Sequence, residues 1–370
     1  MRLGLVIYGS LDTLSGGYLY DRKLVEYLHA QGDTVEIISL PWRNYAAHLT
    51  DNLYFRLPHV VARRSKATTK QSPLHQRFDI LIQDELNHPS LIRANRGKHP
   101  YPIVSIVHHL RCSELRSRWQ NAFYRVIEKK YLQSVDGFIF NSETTQKTVN
   151  SLLENRKSDM IAYPPTDRFG EPVSEGEIRS RAQANPFRIL FLGNVIERKG
   201  LHTLLEALLA LQPSSFILDI VGSQTSEPSY EKQMQDLVAR NDLSSFVYLH
   251  GSLDREPLIE KLRQAHVLVV PSSYEGFGIV YLEGMCFGLP AIATTAGAAG
   301  EIVSDGIDGF LVEPGNAGRL ANRLKVLNED RDVLIRMSLA ARERYLRQPK
   351  WSETAGRIRE FLQSLLGTIG

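Results

Sequence analysis

At 370 residues the chain is longer than one typical domain, and two domains are the natural expectation. Its 43% apolar and 23% charged residues are ordinary for globular protein, and no apolar run approaches the roughly 20 residues needed to cross a bilayer. Residues 1–170 carry 23 Lys+Arg against 16 Asp+Glu, a net +7, while the remainder nets −4. A basic first half fits an acidic acceptor or an anionic membrane surface, and fits a merely solvated face equally well.

The start, M-R-L-G-L-V-I-Y, is interrupted too soon for a signal peptide and reads as a strand over Leu3–Tyr8. A turn containing Gly16 and Gly17 follows, then a helix over Tyr18–Ala30 that Gly32 ends, then a strand over Thr34–Leu40. This βαβ opening lacks the G-x-G-x-x-G spacing of a dinucleotide site, although a Gly-Gly pair at a helix start lets a ligand approach the backbone. Residues 41–78 interleave Arg43, Arg56, Arg63, Arg64, Lys66, Lys70 and Arg77 with Trp42, Tyr45, Tyr54 and Phe55. No nucleic-acid motif accompanies them, so the segment reads as acceptor-side or membrane-facing and nucleic acid is not an expected partner.

Strands are expected at Asp79–Gln83, leading to Asp84-Glu85, and at Ile103–Val107, leading to His108-His109. Residues at the C-terminal ends of parallel strands face the ligand crevice, and adjacent side chains alternate, so one histidine of the pair points inward. A helix over Arg111–Gln133 combines an apolar stripe (Leu115, Trp119, Phe123, Val126, Ile127, Leu132) with Arg116, Arg118, Arg125, Lys129 and Lys130. The stripe is expected to face the core, with an anionic lipid surface as the alternative. Gly137–Asn141 is a strand and Ser142 a helix cap. Pro164–Pro186 is rich in proline, glycine and charge and reads as the hinge. Cys112 and Cys286 have no metal-ligand spacing and read as small apolar fillers in a reducing cytosol.

A second βαβ series begins at Phe187–Leu192, running into G-N-V-I-E-R-K-G from Gly193 to Gly200 and a helix over Leu201–Leu211. Arg198 and Lys199 just before a helix N-terminus oppose its dipole, so helix stability does not account for them, whereas a bound diphosphate would. Strands at Phe216–Val221 and Phe246–Leu249 follow, the latter ending in His250-Gly251-Ser252-Leu253. The apolar run Val267–Val270 leads into P-S-S-Y-E-G-F-G-I-V-Y-L-E-G-M-C-F-G-L-P, a strand, a glycine-bearing loop and a helix start. Such a corner aims several backbone N–H groups at one anion, with Glu275 in the loop and Glu283 about two turns later. Carboxylates on either side of a phosphate site suit a nucleotide-sugar, which offers hydroxyls at both ends. Ala291–Thr294 and the turn and strand from Asp308 to Val312 close the sheet, and helices follow at Ala317–Leu327, Asp332–Leu346 and Ser352–Leu366. Asp330-Arg331-Asp332 imitates a metal-binding D-x-D but lies between surface helices, and no other cluster supplies divalent-metal ligands.

The strings E-G-F-G-I-V-Y-L-E-G-M and G-L-P-A-I-A-T resemble the E-x7-E donor-binding region of the GT4-type retaining glycosyltransferases, and G-N-V-I-E-R-K-G resembles their phosphate motif. The resemblance implies an α/β chain of GT-B fold, two Rossmann-like domains facing across a cleft. Residues 1–168 would form the acceptor domain, 169–186 the linker, 187–348 the donor domain, and 349–370 a helix crossing back, with Trp351 packed at the hinge. In this family Arg198 and Lys199 would neutralise the departing diphosphate, Glu275 would orient the sugar and Glu283 the ribose. His108 would touch the donor sugar, and Gly16 and Gly17 would approach the phosphates. Gly193, Gly276, Phe277, Gly278 and Ile279 would line the anion site, with Gly251 and Leu253 beside the base. After Gly297 the chain departs from the family's usual Gly-Gly, having Ala298 and then Glu301. The resemblance implies no metal and no cofactor, a hydroxyl acceptor, and a cytoplasmic enzyme of polysaccharide or glycolipid synthesis with a peripheral membrane contact left open. A GT-B nucleotide-sugar epimerase and a non-catalytic sugar-nucleotide binder are the alternatives.

Overall fold

A computed structural model describes residues 1–13, 15–55, 57, 78–97, 99–165, 167–211 and 215–367. The chain divides into two compact units, Met1–Pro164 joined by Trp351–Gly370, and Pro165–Lys350. The first holds strands β1 (Arg2–Tyr8), β2 (Thr34–Leu40), β3 (Ile80–Asp84), β4 (Ile103–Val107), β5 (Gly137–Phe140) and β6 (Ser158–Ile161). They form one parallel sheet in the order β2-β1-β3-β4-β5-β6, with Leu3 in register between Val35 and Ile80. β1 is an unbroken apolar run because both faces of a parallel sheet are covered. Leu3, Leu5 and Ile7 enter one core with Tyr20, Leu24 and Leu28, whereas Val6 and Tyr8 enter the other with Leu81, Phe138 and Phe140.

The first of these cores is completed by the last helix, Trp351–Gly367, which adds Ala355, Ile358 and Leu362. Trp351 stands edge-on to Tyr20 at 5.3 Å, and Arg359 donates to Asp33 Oδ2 at 2.6 Å. Trp351, expected at a hinge, is the first residue of the helix that returns to the first unit and packs in that unit's core.

Two stretches of this unit differ from expectation. Within the segment read as acceptor-side or membrane-facing, for which no element is expected, Tyr45–Tyr54 is a helix whose cap, Asn44, accepts from the Ala47 N–H at 2.9 Å. Residues 56 and 58–77, with Arg56, Arg63, Arg64, Lys66, Lys70 and Arg77, lie outside the described residues. The expected helix over 111–133 is a short 3-10 turn, Arg111–Ser113, followed by the helix Arg118–Leu132. Leu132 of the expected stripe faces the core and Ile127 is half-buried, but the rest of the stripe faces away from it. Glu128, Tyr131 and Leu132 are buried, and the Glu128 carboxylate accepts from the N–H groups of Arg111 and Cys112 at 2.6 and 3.1 Å. Turning Glu128 inward sends most of the apolar stripe outward: Leu115, Trp119, Phe123 and Val126 are 68%, 72%, 46% and 52% exposed.

The second unit holds β7 (Phe187–Leu192), β8 (Phe216–Val221), β9 (Val247–Leu249), β10 (Val267–Val269), β11 (Ala291–Thr294) and β12 (Gly309–Val312). Their order is β12-β11-β10-β7-β8-β9, all parallel, with Ile189 opposite Leu218 and Leu190 opposite Leu268. The chain reverses its direction of progress across the sheet between β7 and β10, and in the first unit between β1 and β3. In open α/β sheets ligands bind outside the carboxyl ends of strands at such a switch point.

The stretch 169–186, expected as a linker, belongs to this unit and contains the helix Glu175–Ala182. Ser174 Oγ accepts from the Glu177 N–H at 3.2 Å and Glu177 Oε2 from the Ser174 N–H at 2.9 Å, a reciprocal cap that the S-x-x-E spacing could have announced. Asp330 of the D-x-D string caps the helix Arg331–Leu346, accepting from the Val333 N–H at 2.9 Å. Ser142 does cap its helix, accepting from the Thr145 N–H at 3.1 Å. Both cysteines are free, Cys286 buried and Cys112 half-buried. Among the described residues no helix is long and apolar enough to cross a membrane.

Candidate active site

At the second unit's switch point, the loop leaving β7 meets the loop leaving β10. Glu197–Lys199 forms a 3-10 turn, and Gly200 takes a left-handed conformation (φ +73°) because a side chain there would strike the Pro271 carbonyl. Close approach of the two backbones lets the Ser273 N–H bond Arg198 O at 2.8 Å and the Arg198 guanidinium bond Tyr274 O at 2.9 Å. Lys199 Nζ then lies 2.6 Å from Glu275 Oε2, which also accepts from Ser272 Oγ at 3.1 Å. Burial alone would raise the Glu275 carboxyl, but the charges of Lys199 and Arg198 and the two hydrogen bonds overcome it and hold it at about 2. Burial also lowers the Lys199 ammonium, against the pull of Glu275.

Glu275 is fixed from behind by Gly297 and Ala298. The Ala298 N–H donates to Glu275 O at 2.8 Å, and a Cβ on Gly297 (φ +77°) would stand 2.1 Å from that same oxygen. Gly297 is thus the residue of this segment at which the close approach requires a glycine. Gly276 and the buried Phe277 carry the chain to Gly278, which precedes the helix Ile279–Cys286. Gly193 borders the same loop, the Lys199 side chain passing about 3.6 Å from where its Cβ would be. Sequence motifs and structure therefore bring Gly193, Arg198, Lys199, Glu275 and Gly278 together.

Glu283 is buried on that helix and pairs with Arg168, whose guanidinium also lies 4.9 Å from the Phe169 ring centre. Burial raises the Glu283 carboxyl and Arg168 opposes the rise. Arg168 is invisible to motif reading, since it sits in a stretch without periodicity. Gly251 and Leu253 lie in the turn after β9, where Gly251 O accepts from the Gly222 N–H at 2.9 Å.

In the first unit the ends of β3 and β4 and the first helix, Gly16–Ala30, converge on His108. Its backbone N–H donates to Glu85 Oε2 at 2.7 Å, and its Nε2 lies 3.4 Å from Asp21 Oδ1. Gly17 packs on the imidazole: a Cβ there would be 3.2 Å from His108 Cδ2. Gly16 opens the helix, whose cap is Ser15. His109 points elsewhere and pairs with Glu114 at 3.0 Å, as alternation requires. Asp21 is fully buried and neither carboxylate oxygen has a hydrogen-bond partner among the described residues, so the His108 ring is its counter-ion. Burial disfavours the imidazolium, yet Asp21, Asp84 and Glu85 more than compensate and raise it to about 9. Burial and the Asp21 charge in turn lift Asp84 to about 7. Asp21, Asp84 and His108 each offer a donor atom within 4.8 Å of the others, a spacing a metal ion could use, but the imidazolium supplies the balancing cation directly. Asp21 was not singled out from the sequence. The available signal was a carboxylate three residues from both Tyr18 and Leu24, on the buried stripe of its helix.

Comparison with solved structures defines the class. The chain superposes on sucrose-phosphate synthase from Thermosynechococcus elongatus with a TM-score of 0.78 over 99% of both chains, at 20% identity, so its fold is GT-B. Residues 175–344 match the family described as glycosyl transferases group 1. The matched residues make up most of the second unit. A phosphatidyl-myo-inositol mannosyltransferase of Mycobacterium leprae is 27% identical over 97% of this chain and 95% of its own length. An uncharacterized glycosyltransferase of Methanocaldococcus jannaschii is 34% identical over 142 residues, and the matched region spans 38% of that relative's length.

Proposed function

We propose that the protein is a retaining glycosyltransferase of the GT4 type. It moves a sugar from a nucleotide-sugar to a hydroxyl of a glycan, lipid or small molecule without a metal ion. The observation that carries this reading is the pairing of Lys199 with Glu275, with Arg198 anchored on Tyr274 O, beside the glycine-led start of the helix Ile279–Cys286. Two cationic side chains at that corner can take up the charge that grows on a departing diphosphate, and groups fixed beforehand do so without reorganising. The N–H groups of Phe277 and Gly278 would complete the anion site. The Glu275 carboxylate, ionised because its cations hold it so, accepts hydrogen bonds from sugar hydroxyls, and Glu283 does the same for the ribose. In the first unit the imidazolium of His108, fixed by Asp21, is the group that meets substrate. Gly16, Gly17, Gly193, Gly251, Leu253, Gly276 and Ile279 shape the donor's surroundings. The enzyme serves glycolipid or polysaccharide synthesis in the cytoplasm, working against the membrane's inner face; the Mycobacterium leprae relative, named as a phosphatidyl-myo-inositol mannosyltransferase, supports the lipid branch of that reading.

A thermal-shift panel of nucleotide-sugars tests the donor assignment, since a ligand that binds only the folded state raises its melting point. The matching donor is expected to stabilise the wild type and to stabilise Lys199→Ala far less. Equal stabilisation of both proteins would remove Lys199 from the site.

A further inference from the structure

The helices Tyr45–Tyr54 and Arg118–Leu132 meet in the first unit through a few side chains. Tyr45 meets Phe123 and Tyr124 at ring-centre distances of 6.3 and 5.0 Å, and further along Leu49 and Asn52 share a cavity with Ile127 and Lys130. That cavity has a volume of about 590 Å³, and its floor is the segment Ile92–Arg96. Three cations, Arg93, Arg96 and Lys130, line it, and among the described residues none of their side chains has an acidic partner.

Beside it runs the outward stripe. Trp119, Phe123 and Val126 recur at spacings of four and three, so they occupy one face, and Lys130 continues it one turn on. On the helix Tyr45–Tyr54, Leu53, one turn beyond Leu49, is 57% exposed. Large apolar side chains on an exposed helix face contribute nothing to folding, whereas each is worth burying elsewhere. Arg118, Arg125 and Lys129 flank the stripe.

We propose that this face is a docking surface for an anionic phospholipid membrane. The stripe enters the interface between headgroups and acyl chains, and a headgroup phosphate occupies the cavity against Arg93, Arg96 and Lys130. Charge selects this occupant. A second copy of the chain packing on the face by two-fold symmetry would set cation against cation. A layer carrying many negative charges over an apolar interior answers both features at once. The inference deepens the membrane contact proposed above, and its test does not use glycosyl transfer.

The test is co-sedimentation of the full chain with vesicles, together with its oligomeric state by light scattering. The wild type is expected to bind equimolar phosphatidylglycerol–phosphatidylcholine vesicles at low salt, to bind phosphatidylcholine alone weakly, and to release as salt rises. Neutralising two cavity cations (Arg93→Gln with Lys130→Gln) should weaken binding roughly thirty-fold, about five-fold for each charge lost near the surface. Trp119→Ser with Phe123→Ser should weaken it roughly ten-fold or more while circular dichroism and melting temperature stay at wild-type values. Inorganic phosphate at millimolar concentration should compete only weakly if the bilayer is the ligand; full displacement by it would assign the cavity to free phosphate and overturn the proposal. Binding that both double variants retain, or a dimer that Trp119→Ser with Phe123→Ser dissolves, would overturn it too.

Discussion

Lys199 and Glu275, 76 residues apart in the chain, meet at 2.6 Å where the loops leaving β7 and β10 converge. One is the cation of the phosphate motif and the other the first carboxylate of the E-x7-E motif. Their contact means that each sets the other's charge, so neither can be altered alone without disturbing its partner.

Lys199→Ala is therefore expected to have two effects. Turnover should fall by on the order of 2–4 kcal/mol of barrier, the usual consequence of removing one preorganised charge-stabilising group. Stability should also fall, by roughly 1–3 kcal/mol, because the Glu275 carboxylate is left buried without its cation. Adding Glu275→Gln to Lys199→Ala should restore part of the melting temperature and none of the turnover. Additive losses of stability in the double variant would show that the pair is not coupled.

Acid stability should carry the mark of Glu275. Its folded pKa, about 2, lies below its ordinary value of 4.5, so its contribution is complete above pH 4.5 and is lost as pH falls toward 2. Denaturant melts of Glu275→Gln between pH 5 and 2 should show a shallower loss than wild type, by roughly 3 kcal/mol across that window. Identical slopes would mean that the carboxylate is not held in its charged form by Lys199 and Arg198.

At the alkaline end His108 should dominate. Its folded pKa, about 9, exceeds its ordinary 6.5, so the stability it lends is complete below pH 6.5 and is lost as pH rises through 9. In Asp21→Asn the imidazole loses the carboxylate 3.4 Å from its Nε2, and its proton NMR titration midpoint should fall well below 9. An unmoved midpoint would transfer the role to Asp84 and Glu85.

Gly297→Ala offers a test of the scaffold behind Glu275. The added methyl would stand 2.1 Å from a backbone oxygen at a residue with φ +77°, and backbone cannot step aside as a flexible side chain can. The variant should lose roughly 2 kcal/mol or more of stability and, where it folds, should bind donor more weakly than wild type in calorimetry. Gly306→Ala, which also has positive φ but open space around it, is the control and should lose only the backbone term.

The last helix should prove structural. Ile358 is fully buried against the first unit's sheet, and Ile358→Ala should cost roughly 2–5 kcal/mol in chemical denaturation. A loss below 1 kcal/mol would mean that the helix docks only loosely.

Much of the site was legible because its parts are local. A strand ending in Gly193–Gly200 and a strand running into Glu275–Gly278 announce themselves through apolar runs, glycines and misplaced cations, each spanning a few residues. Arg168, Asp21 and Ser272 were missed because their roles exist only through partners elsewhere: Glu283, His108 and Glu275. The Ser174–Glu177 box lies within a proline-rich stretch, where its S-x-x-E spacing is a readable local signal.

By itself the sequence determined that two parallel α/β sheets would form and which loops would carry the phosphate-type motifs, since strand, turn and helix preferences act between near neighbours. Only the tertiary structure decided which way the helix Arg118–Leu132 faces, because an amphipathic pattern defines a stripe and the buried Glu128 decides which side meets water. It likewise decided that Trp351 joins the first unit's core and that Lys199 answers to Glu275, because burial and ion pairing depend on distances in space that residue order does not fix.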